Sequence, residues 1–150
     1  MTRRLDQAQA QCAARGAQLT ALRREVLELL LLRQGSAKAY DLQDDMRARH
    51  GRVAPTTVYR ALEFLMEQQL VHRVDSLNSF VVCNLDHGPH DHHHDHTMML
   101  VCSRCGQVTE VHDDPATEAI RRALHVDAPG FHATGIEIKG VCGACQAASA

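Results

Sequence analysis

The chain has no tryptophan and few other aromatic residues. Its 150 residues include two tyrosines and three phenylalanines, so any core must be built largely from aliphatic side chains. Long apolar runs are also missing, because the longest stretch, residues 26–32, contains Glu28 and is far too short to cross a bilayer. Residues 1–11 lack the apolar segment of a secretory signal peptide. These absences predict a cytoplasmic protein without membrane association.

A strong excess of one charge sign is absent from the whole chain but not from its halves. The formal net charge is −2. Residues 1–73 hold 12 Lys and Arg against 8 Asp and Glu, a net of +4, whereas residues 74–150 hold 4 against 10, a net of −6. A basic first half predicts a polyanionic partner there and a different role for the second half.

Four of the six cysteines form two CxxC pairs, which are separated by 36 residues. The pairs are Cys102 with Cys105 and Cys142 with Cys145. Two such pairs facing each other predict a closed tetrahedral zinc site with Zn–S distances of about 2.3 Å. The alternatives are disulfides or a redox CxxC, which normally occurs once on a βαβ background. The second half is poor in large apolar residues, so it needs such a metal to stabilise it.

A second metal signal lies just upstream, where histidines fill six of the ten positions from 87 to 96. Neutral imidazole is a ligand for zinc, iron, nickel and copper. The alternative is a solvated low-complexity tract that binds metal loosely or not at all. His112, His125 and His132 lie further along the chain and could form another site, although scattered surface histidines are the simpler interpretation.

Helical periodicity predicts four helices in the first half of the chain, at residues 5–15, 22–32, 36–49 and from 55 onwards. Thr20 and Ser36 are the expected N-caps of the second and third, and Pro55 suits the first turn of the fourth. Residues 70–74 and 79–82 then predict a β-hairpin. Helices followed by a hairpin predict a winged helix-turn-helix whose fourth helix enters the major groove of DNA. The alternative is an ordinary helical bundle with one polar face.

The second half is predicted to be a small α/β module. Strands at residues 98–101 and 107–111 flank the first CxxC pair, and a helix runs from Asp113 or Asp114 to Leu124. A strand at residues 131–141 then leads into the second pair. Such a sheet leaves an exposed edge that pairing with a second copy would cover. The residues expected to be buried by that pairing are Ile120, Leu124, Ile136 and Ile138.

The fold class is therefore predicted to be α+β. The expected domains are a winged-helix DNA-binding domain at residues 1–82, a hinge with a His-rich metal-binding loop at 83–96, and a zinc-stabilised dimerisation domain at 97–150. Each boundary falls where the composition changes from helical periodicity to histidines, and then to short strands with cysteines.

Several stretches resemble the ferric uptake regulator family, and most of all its zinc-responsive members. They are LTALR at residues 19–23, AYDL at 39–42, TTVYRAL at 56–62, LVH at 70–72 and the paired CxxC motifs. The resemblance implies a homodimeric repressor that binds double-stranded operator DNA when loaded with metal. It also implies one structural and at least one regulatory Zn²⁺ per chain, and repression of zinc-uptake genes.

The resemblance places the regulatory ligands on His72, Cys83, His96 and Glu110. One cysteine, two histidines and one glutamate form a mixed N, S and O site that suits zinc. In many family members a His-x-Asp-His run stands directly before the strand that leads to the first CxxC pair, whereas here the histidines are displaced upstream. The loop ligand is therefore open among His94, Asp95 and His96, and the iron and peroxide-sensing alternatives are weakened.

Five residues are expected to contact DNA. They are Arg23, Tyr40, Thr57, Tyr59 and Arg60. Arg23 and Thr57 are placed to hold phosphates, Tyr40 is expected to read a base edge, and Arg60 could contact either a guanine edge or a phosphate.

Asp44 and Arg47 stand three residues apart on the third predicted helix, where the default is a weak local ion pair. The resemblance implies instead that they join two dimers bound to one operator. Both interpretations are compatible with the sequence.

The function expected from these features is a zinc-responsive transcriptional repressor. The alternatives are a regulator of the same family that senses iron, nickel or manganese, or a metal buffer that uses the His-rich loop. A zinc hydrolase or deaminase would need an open coordination position and a nearby base. Because each ligand set here is closed and no GxSxG motif occurs, we expect no enzymatic activity and no small-molecule substrate.

Overall fold

The computed structural model describes residues 1–33, 35–83 and 97–148. The chain divides into two compact units, Met1–Asp86 and His87–Ala150. The first is mainly helical and the second is built around a sheet. None of the helices in the described ranges is long and apolar enough to span a membrane.

The first unit contains four helices and three short strands. They are α1 (Thr2–Ala14), α2 (Ala21–Leu32), β1 (Ser36–Ala37), α3 (Ala39–His50), α4 (Pro55–Glu67), β2 (Val71–Val74) and β3 (Ser79–Val82). Gly51 follows α3 with φ of 79°, a backbone conformation that glycine adopts without strain. Pro55 is the first residue of α4, where its fixed φ favours the helix and its missing N–H costs nothing. The four predicted helices and the hairpin are confirmed.

The small sheet of the first unit has three strands rather than the two that were predicted. Its order is β1-β3-β2, with both pairings antiparallel. Ser36 lies in β1 and pairs with Val81 of β3, so the prediction that Ser36 caps α3 is wrong. The helix begins after Lys38 instead, whose backbone N–H donates to Oδ2 of Asp41 at 3.2 Å. The missed strand has only two residues, which is too short for a period-two pattern to reveal.

The core of the first unit is aliphatic, as the scarcity of aromatic residues predicted. Its largest fully buried side chains are those of Leu27, Leu30, Leu42, Met46, Leu62, Leu65 and Leu70. They come from α2, α3, α4 and the start of the wing, which is the β2–β3 hairpin. The helices are thus held to one another and to the wing by close packing of apolar surface.

The turn between α4 and β2 is braced by α1. Gln69 occupies the left-handed region with φ of 60°, which is unusual for a residue with a side chain. The side chains of Gln11 and Arg15 each donate to the backbone oxygen of Gln68 at 2.9 Å. Arg15 also donates to Oε1 of Gln69. These bonds fix the point at which the chain leaves α4 and enters the wing.

The second unit is a three-stranded sheet with two helices. Its elements are β4 (Thr97–Cys102), β5 (Val108–His112), α5 (Asp114–Asp127), β6 (Ile136–Gly140) and α6 (Gly143–Ala147). Strand β4 is central, antiparallel to β5 and parallel to β6. Asp113 caps α5 by accepting a hydrogen bond from the backbone N–H of Ala116 at 2.9 Å. The strand predicted at 131–141 is confirmed only at residues 136–140, and α6 was not predicted.

The second unit buries little of its apolar surface. Its buried residues, within the described part of the chain, are Thr97, Met98, Met99, Val101, Cys102 and Thr117. Val126, Phe131 and Ile138 are 76%, 65% and 45% exposed. So few buried side chains supply little hydrophobic stabilisation, which agrees with the expectation that this module needs a metal and a second copy.

We expect Leu62→Ala to lower the free energy of unfolding of the first unit by about 2–5 kcal/mol, because it opens a cavity in a fully packed core. Leu32→Ala is the matched control, since Leu32 is half exposed and should cost well under half as much. Urea denaturation followed by far-ultraviolet circular dichroism measures both. Equal losses in the two variants would contradict the packing described here.

Candidate metal centres and DNA-reading face

The four cysteines of the paired CxxC motifs come together in the second unit. Cys102 ends β4, Cys105 follows in the next turn, Cys142 precedes α6 and Cys145 lies within it. All four sulfur atoms lie within 4.8 Å of one another. The sequence prediction that the two pairs face each other agrees with this arrangement.

Hydrogen bonds within the unit hold the two CxxC turns together. The backbone N–H and the hydroxyl of Ser103 both donate to the oxygen of Gly140, at 2.8 and 3.0 Å. Arg104 donates from Nη1 to the oxygen of Cys145 at 3.0 Å. The backbone N–H of Cys142 donates to Sγ of Cys102 at 3.3 Å. The protein backbone therefore supports the sulfur cluster from several directions.

The thiols of Cys102 and Cys145 differ in how readily they ionise. Hydrogen bonds from the backbone N–H groups of Cys142, Cys105 and Arg104 lower the pKa of the Cys102 thiol from 9.0 to about 6. Side-chain hydrogen bonds with Cys142 and Cys105 raise the pKa of Cys145 to about 12. The Cys102 thiol therefore ionises before the Cys145 thiol. Four thiolates at such short separations require a cation among them.

The spacing of the sulfur atoms fits a tetrahedral zinc ion. Four ligands placed about 2.3 Å from a central zinc are about 3.8 Å apart. The sulfur atoms of Cys105 and Cys142 are 3.8 Å apart. That separation is nearly twice the length of an S–S bond, about 2.05 Å. All six cysteines lie in the described ranges and none of them forms a disulfide, so the disulfide alternative is wrong.

Two of the predicted regulatory ligands lie at one end of the wing. His72 is in β2 and Cys83 directly follows β3. The backbone N–H of Cys83 donates to the oxygen of Leu70 at 2.9 Å, which extends the hairpin by one more bond. A ring nitrogen of His72 and Sγ of Cys83 lie within 4.8 Å of each other. Cys83 is buried and His72 is half-buried. A soft thiolate and an imidazole are thus presented together.

Glu110, the predicted carboxylate ligand, is in β5 of the second unit, opposite Met99 of β4. Its side chain is only 6% exposed, which is unusual for a carboxylate. Nε2 of His112 lies 3.1 Å from Oε1 of Glu110. The remaining ligand candidates, His94, Asp95 and His96, lie outside the described residues.

His112 is exposed, as the sequence suggested, but its ring is not isolated. Besides its bond to Glu110, its Nδ1 lies 3.1 Å from Oγ1 of Thr97. The alternative of a further metal site is not supported, because His112, His125 and His132 form no metal-binding group among the described residues. The one signal in the sequence was the Glu-x-His spacing, which places both side chains on the same face of a strand.

The candidate DNA-reading face is formed by α3 and α4. Tyr40 on α3 and Tyr59 on α4 are 64% and 51% exposed. Arg60 is exposed and Thr57 is half-buried, both on α4. Tyr40 and Tyr59 are the only two tyrosines of the chain, and neither contributes its ring to the core of the first unit. Exposed phenols beside an arginine and a hydroxyl are suited to contacts with phosphates and base edges.

Arg23, at the start of α2, has two contacts within the first unit. Its Nη1 donates to the backbone oxygen of Gln18 at 2.8 Å, and its guanidinium carbon lies 3.5 Å from the ring centroid of Phe64 on α4. This is a cation–π contact. No local pattern predicts it, because the two residues lie on different helices and are brought together only by their packing.

Asp44 and Arg47 form an ion pair on α3, with Arg47 Nη1 3.3 Å from Asp44 Oδ1. Both side chains are exposed. The local ion pair expected from the sequence is therefore present, and exposed pairs of this kind contribute little to stability.

Comparison with known proteins gives matches along most of the chain. Residues 14–139 match the ferric uptake regulator family. The zinc uptake regulation protein of Escherichia coli strain K12 is 42% identical over 146 residues, which cover 94% of this chain and 80% of that protein. The zinc uptake regulation protein of Shigella flexneri matches to the same extent.

Solved structures give a similar result. A zinc uptake regulator complexed with zinc and DNA matches with a TM-score of 0.81 and 40% identity, covering 97% of this chain and 94% of that one. A structure of holo XcZur matches with a TM-score of 0.79 and 34% identity, covering 95% and 96%. With a family match from residue 14 to 139 and relatives similar over nearly its whole length, this chain belongs to the ferric uptake regulator family.

Proposed function

We propose that this protein is a zinc-responsive transcriptional repressor that binds operator DNA as a zinc-loaded homodimer and shuts off zinc-uptake genes. The observation that carries the proposal is its similarity to zinc uptake regulation proteins over 94% of the chain. The match to a regulator solved with both zinc and DNA supports the same function. The four-cysteine cluster provides a site for a metal, and the helix-turn-helix provides an element that can bind DNA. These are the two features that such a function needs.

In this proposal the first unit reads DNA through α4, with α3 beside it. Tyr40 and Tyr59 reach base edges, Arg60 contacts a guanine or a phosphate, and Arg23 and Thr57 hold phosphates. A guanidinium carries five N–H donors, so the bond from Arg23 to Gln18 leaves other donors that can bind a phosphate. The basic balance of residues 1–73 supports the same partner, since phosphate neutralisation supplies much of the affinity for DNA.

Two zinc ions per chain are proposed. Cys102, Cys105, Cys142 and Cys145 hold the structural ion, which links the two CxxC turns as the metal of a closed site does. His72, Cys83 and Glu110, with His96 from the loop, hold the regulatory ion. This second set combines nitrogen, sulfur and oxygen ligands, a mixture that suits Zn²⁺. Bound zinc supplies a cross-link between imidazole, thiolate and carboxylate.

The second unit is proposed to join two copies of the chain. Its exposed apolar residues and the outer edges of β5 and β6 offer the surface that a partner copy would cover. The Asp44 and Arg47 pair on the first unit is proposed to contact a second dimer on the same operator. Rearrangement of such an exposed ion pair between molecules costs little.

No catalytic role is proposed. The four-cysteine site uses all four coordination positions of a tetrahedral ion, so it leaves none for a substrate or an activated water. We place the protein in the cytoplasm, because DNA is its partner and a cluster of metal-binding thiols requires a reducing compartment.

Cys102→Ser should remove about one zinc per chain and abolish dimerisation, because the second unit buries too little apolar surface to fold without its metal. Metal analysis and size-exclusion chromatography with light scattering measure both effects. Cys12→Ala is the matched control, since Cys12 is buried in α1 and belongs to neither proposed ligand set. A zinc-depleted Cys102→Ser protein that remains a stable dimer would disprove the structural role.

Cys83→Ser and His72→Ala should each leave about one zinc per chain in a folded dimer, but abolish zinc-stimulated binding to operator DNA. Each change removes one ligand of the regulatory set and leaves the four-cysteine site intact. Electrophoretic mobility shift with added zinc and with chelator measures the effect, and His125→Ala is the matched control. If either variant still responds to zinc as the unaltered protein does, the ligand assignment is wrong.

Arg23→Ala should weaken binding to operator and random duplexes alike and lower the salt slope of log Kd by about one unit, because one phosphate contact is lost. Tyr40→Phe should leave that slope unchanged and cost about 1–3 kcal/mol of discrimination at one base pair. Arg33→Ala, at the other end of α2, controls for loss of one positive charge. Titration across salt concentrations on both duplexes measures these quantities. A change of base preference without a change of slope in Arg23→Ala would overturn the docking.

A further inference from the structure

The end of the β4–β5 ladder carries a chain of three polar side chains that the function proposed above does not use in full. Thr97 is the first residue of β4 and pairs directly with His112, the last residue of β5. Glu110 lies two positions before His112, so the two side chains project from the same face of the strand. Nδ1 of His112 lies 3.1 Å from the Thr97 hydroxyl, and its Nε2 lies 3.1 Å from the Glu110 carboxylate.

The donors and acceptors in this chain select one arrangement of hydrogens. A carboxylate can only accept, so Nε2 of His112 must carry the hydrogen that is donated to Oε1 of Glu110. In a neutral ring Nδ1 is then an acceptor, and the Thr97 hydroxyl can donate to it. Glu110 therefore selects the nitrogen that carries the hydrogen, and Thr97 holds the orientation of the ring.

The hydrogen bond from His112 to Glu110 matters because the Glu110 side chain is buried. The Glu110 side chain is 6% exposed, and the buried hydroxyl of Thr97 closes the other end of the chain. A buried carboxylate must be hydrogen-bonded or paired to remain charged. The His112 bond supplies such a partner and also fixes the plane of the carboxylate. A mobile carboxylate would lose conformational freedom on binding a metal, whereas one that is already held loses less.

We propose that His112 is a positioning residue for Glu110, which it holds through an Nε2–H bond in the orientation that binds the regulatory zinc, with Thr97 fixing the ring. The inference rests on the proposed function, since it takes Glu110 as a zinc ligand. Outer partners of metal-binding carboxylates and histidines change metal affinity by about 10- to 100-fold when they are removed. Here the partner is on the same strand as the ligand, so its effect does not depend on the loop between residues 84 and 96.

The test compares four variants of the full-length protein with the structural zinc retained. They are His112→Leu, His112→Gln, Thr97→Val and Glu110→Ala. The affinity for the second zinc is measured by competition with a chromophoric chelator, and Co²⁺ absorption reports the coordination of the same site. Thermal unfolding and the content of the first zinc show whether a variant merely damages the unit.

His112→Leu should lower the affinity for the second zinc by about 10- to 100-fold, while the content of the first zinc and the thermal midpoint stay unchanged. His112→Gln should recover most of that loss, because its amide N–H can donate to the carboxylate although it is a poor zinc ligand. Thr97→Val should cause a smaller loss in the same direction, since the ring keeps its bond to Glu110 but loses its support.

The outcomes separate this inference from the proposed function. Unchanged zinc affinity in Glu110→Ala would disprove the regulatory ligand set itself. Weakened binding in Glu110→Ala with unchanged binding in His112→Leu would overturn the positioning role alone. If His112→Gln were as weak as His112→Leu, and its Co²⁺ spectrum had lost an imidazole ligand, His112 would bind the metal directly and the inference would also be wrong.

Discussion

The clustering of four cysteine sulfur atoms is the constraint on which the second unit depends. Thiolates at this separation repel one another, and the hydrogen bonds around Cys102 favour one negative charge while Cys145 keeps its proton. A divalent cation removes that conflict and joins the end of β4 to α6 in one step. Because few side chains of the unit are buried, the metal takes the part that a hydrophobic core has in a larger domain.

The first unit is built on the opposite principle. Its leucine-rich core is closed by apolar packing, and polar side chains add contacts between its elements. Arg23 joins α2 to Phe64 of α4, and Arg15 at the end of α1 braces the turn at Gln69. The unit proposed to read DNA is thus closed by its own apolar core, whereas the second unit depends on a metal. Folding of the first unit therefore does not rest on the four-cysteine site.

Much of this structure could be predicted because its signals are local. The CxxC spacing, the proline at the start of α4 and the period of the leucines each act within a few residues. The two-residue strand at Ser36 and the short helix α6 carry no period, and tertiary pairing decides them. The contacts of Arg23 with Phe64 and of His112 with Thr97 join residues that are not neighbours in sequence, so no local pattern predicts them. Glu110 was named through a family resemblance, whereas the side chain that holds it was not.

The absence of tryptophan, together with the position of both tyrosines, has a spectroscopic consequence. Tyr40 and Tyr59 are the chain's only strong ultraviolet fluorophores, and both lie on the exposed face of α3 and α4. The core holds no tyrosine, and its two phenylalanines, Phe64 and Phe80, emit only weakly. Intrinsic fluorescence of this protein therefore reports almost entirely on the surface proposed to meet DNA, and stacking or hydrogen bonding of bases against those rings changes its intensity without any attached label.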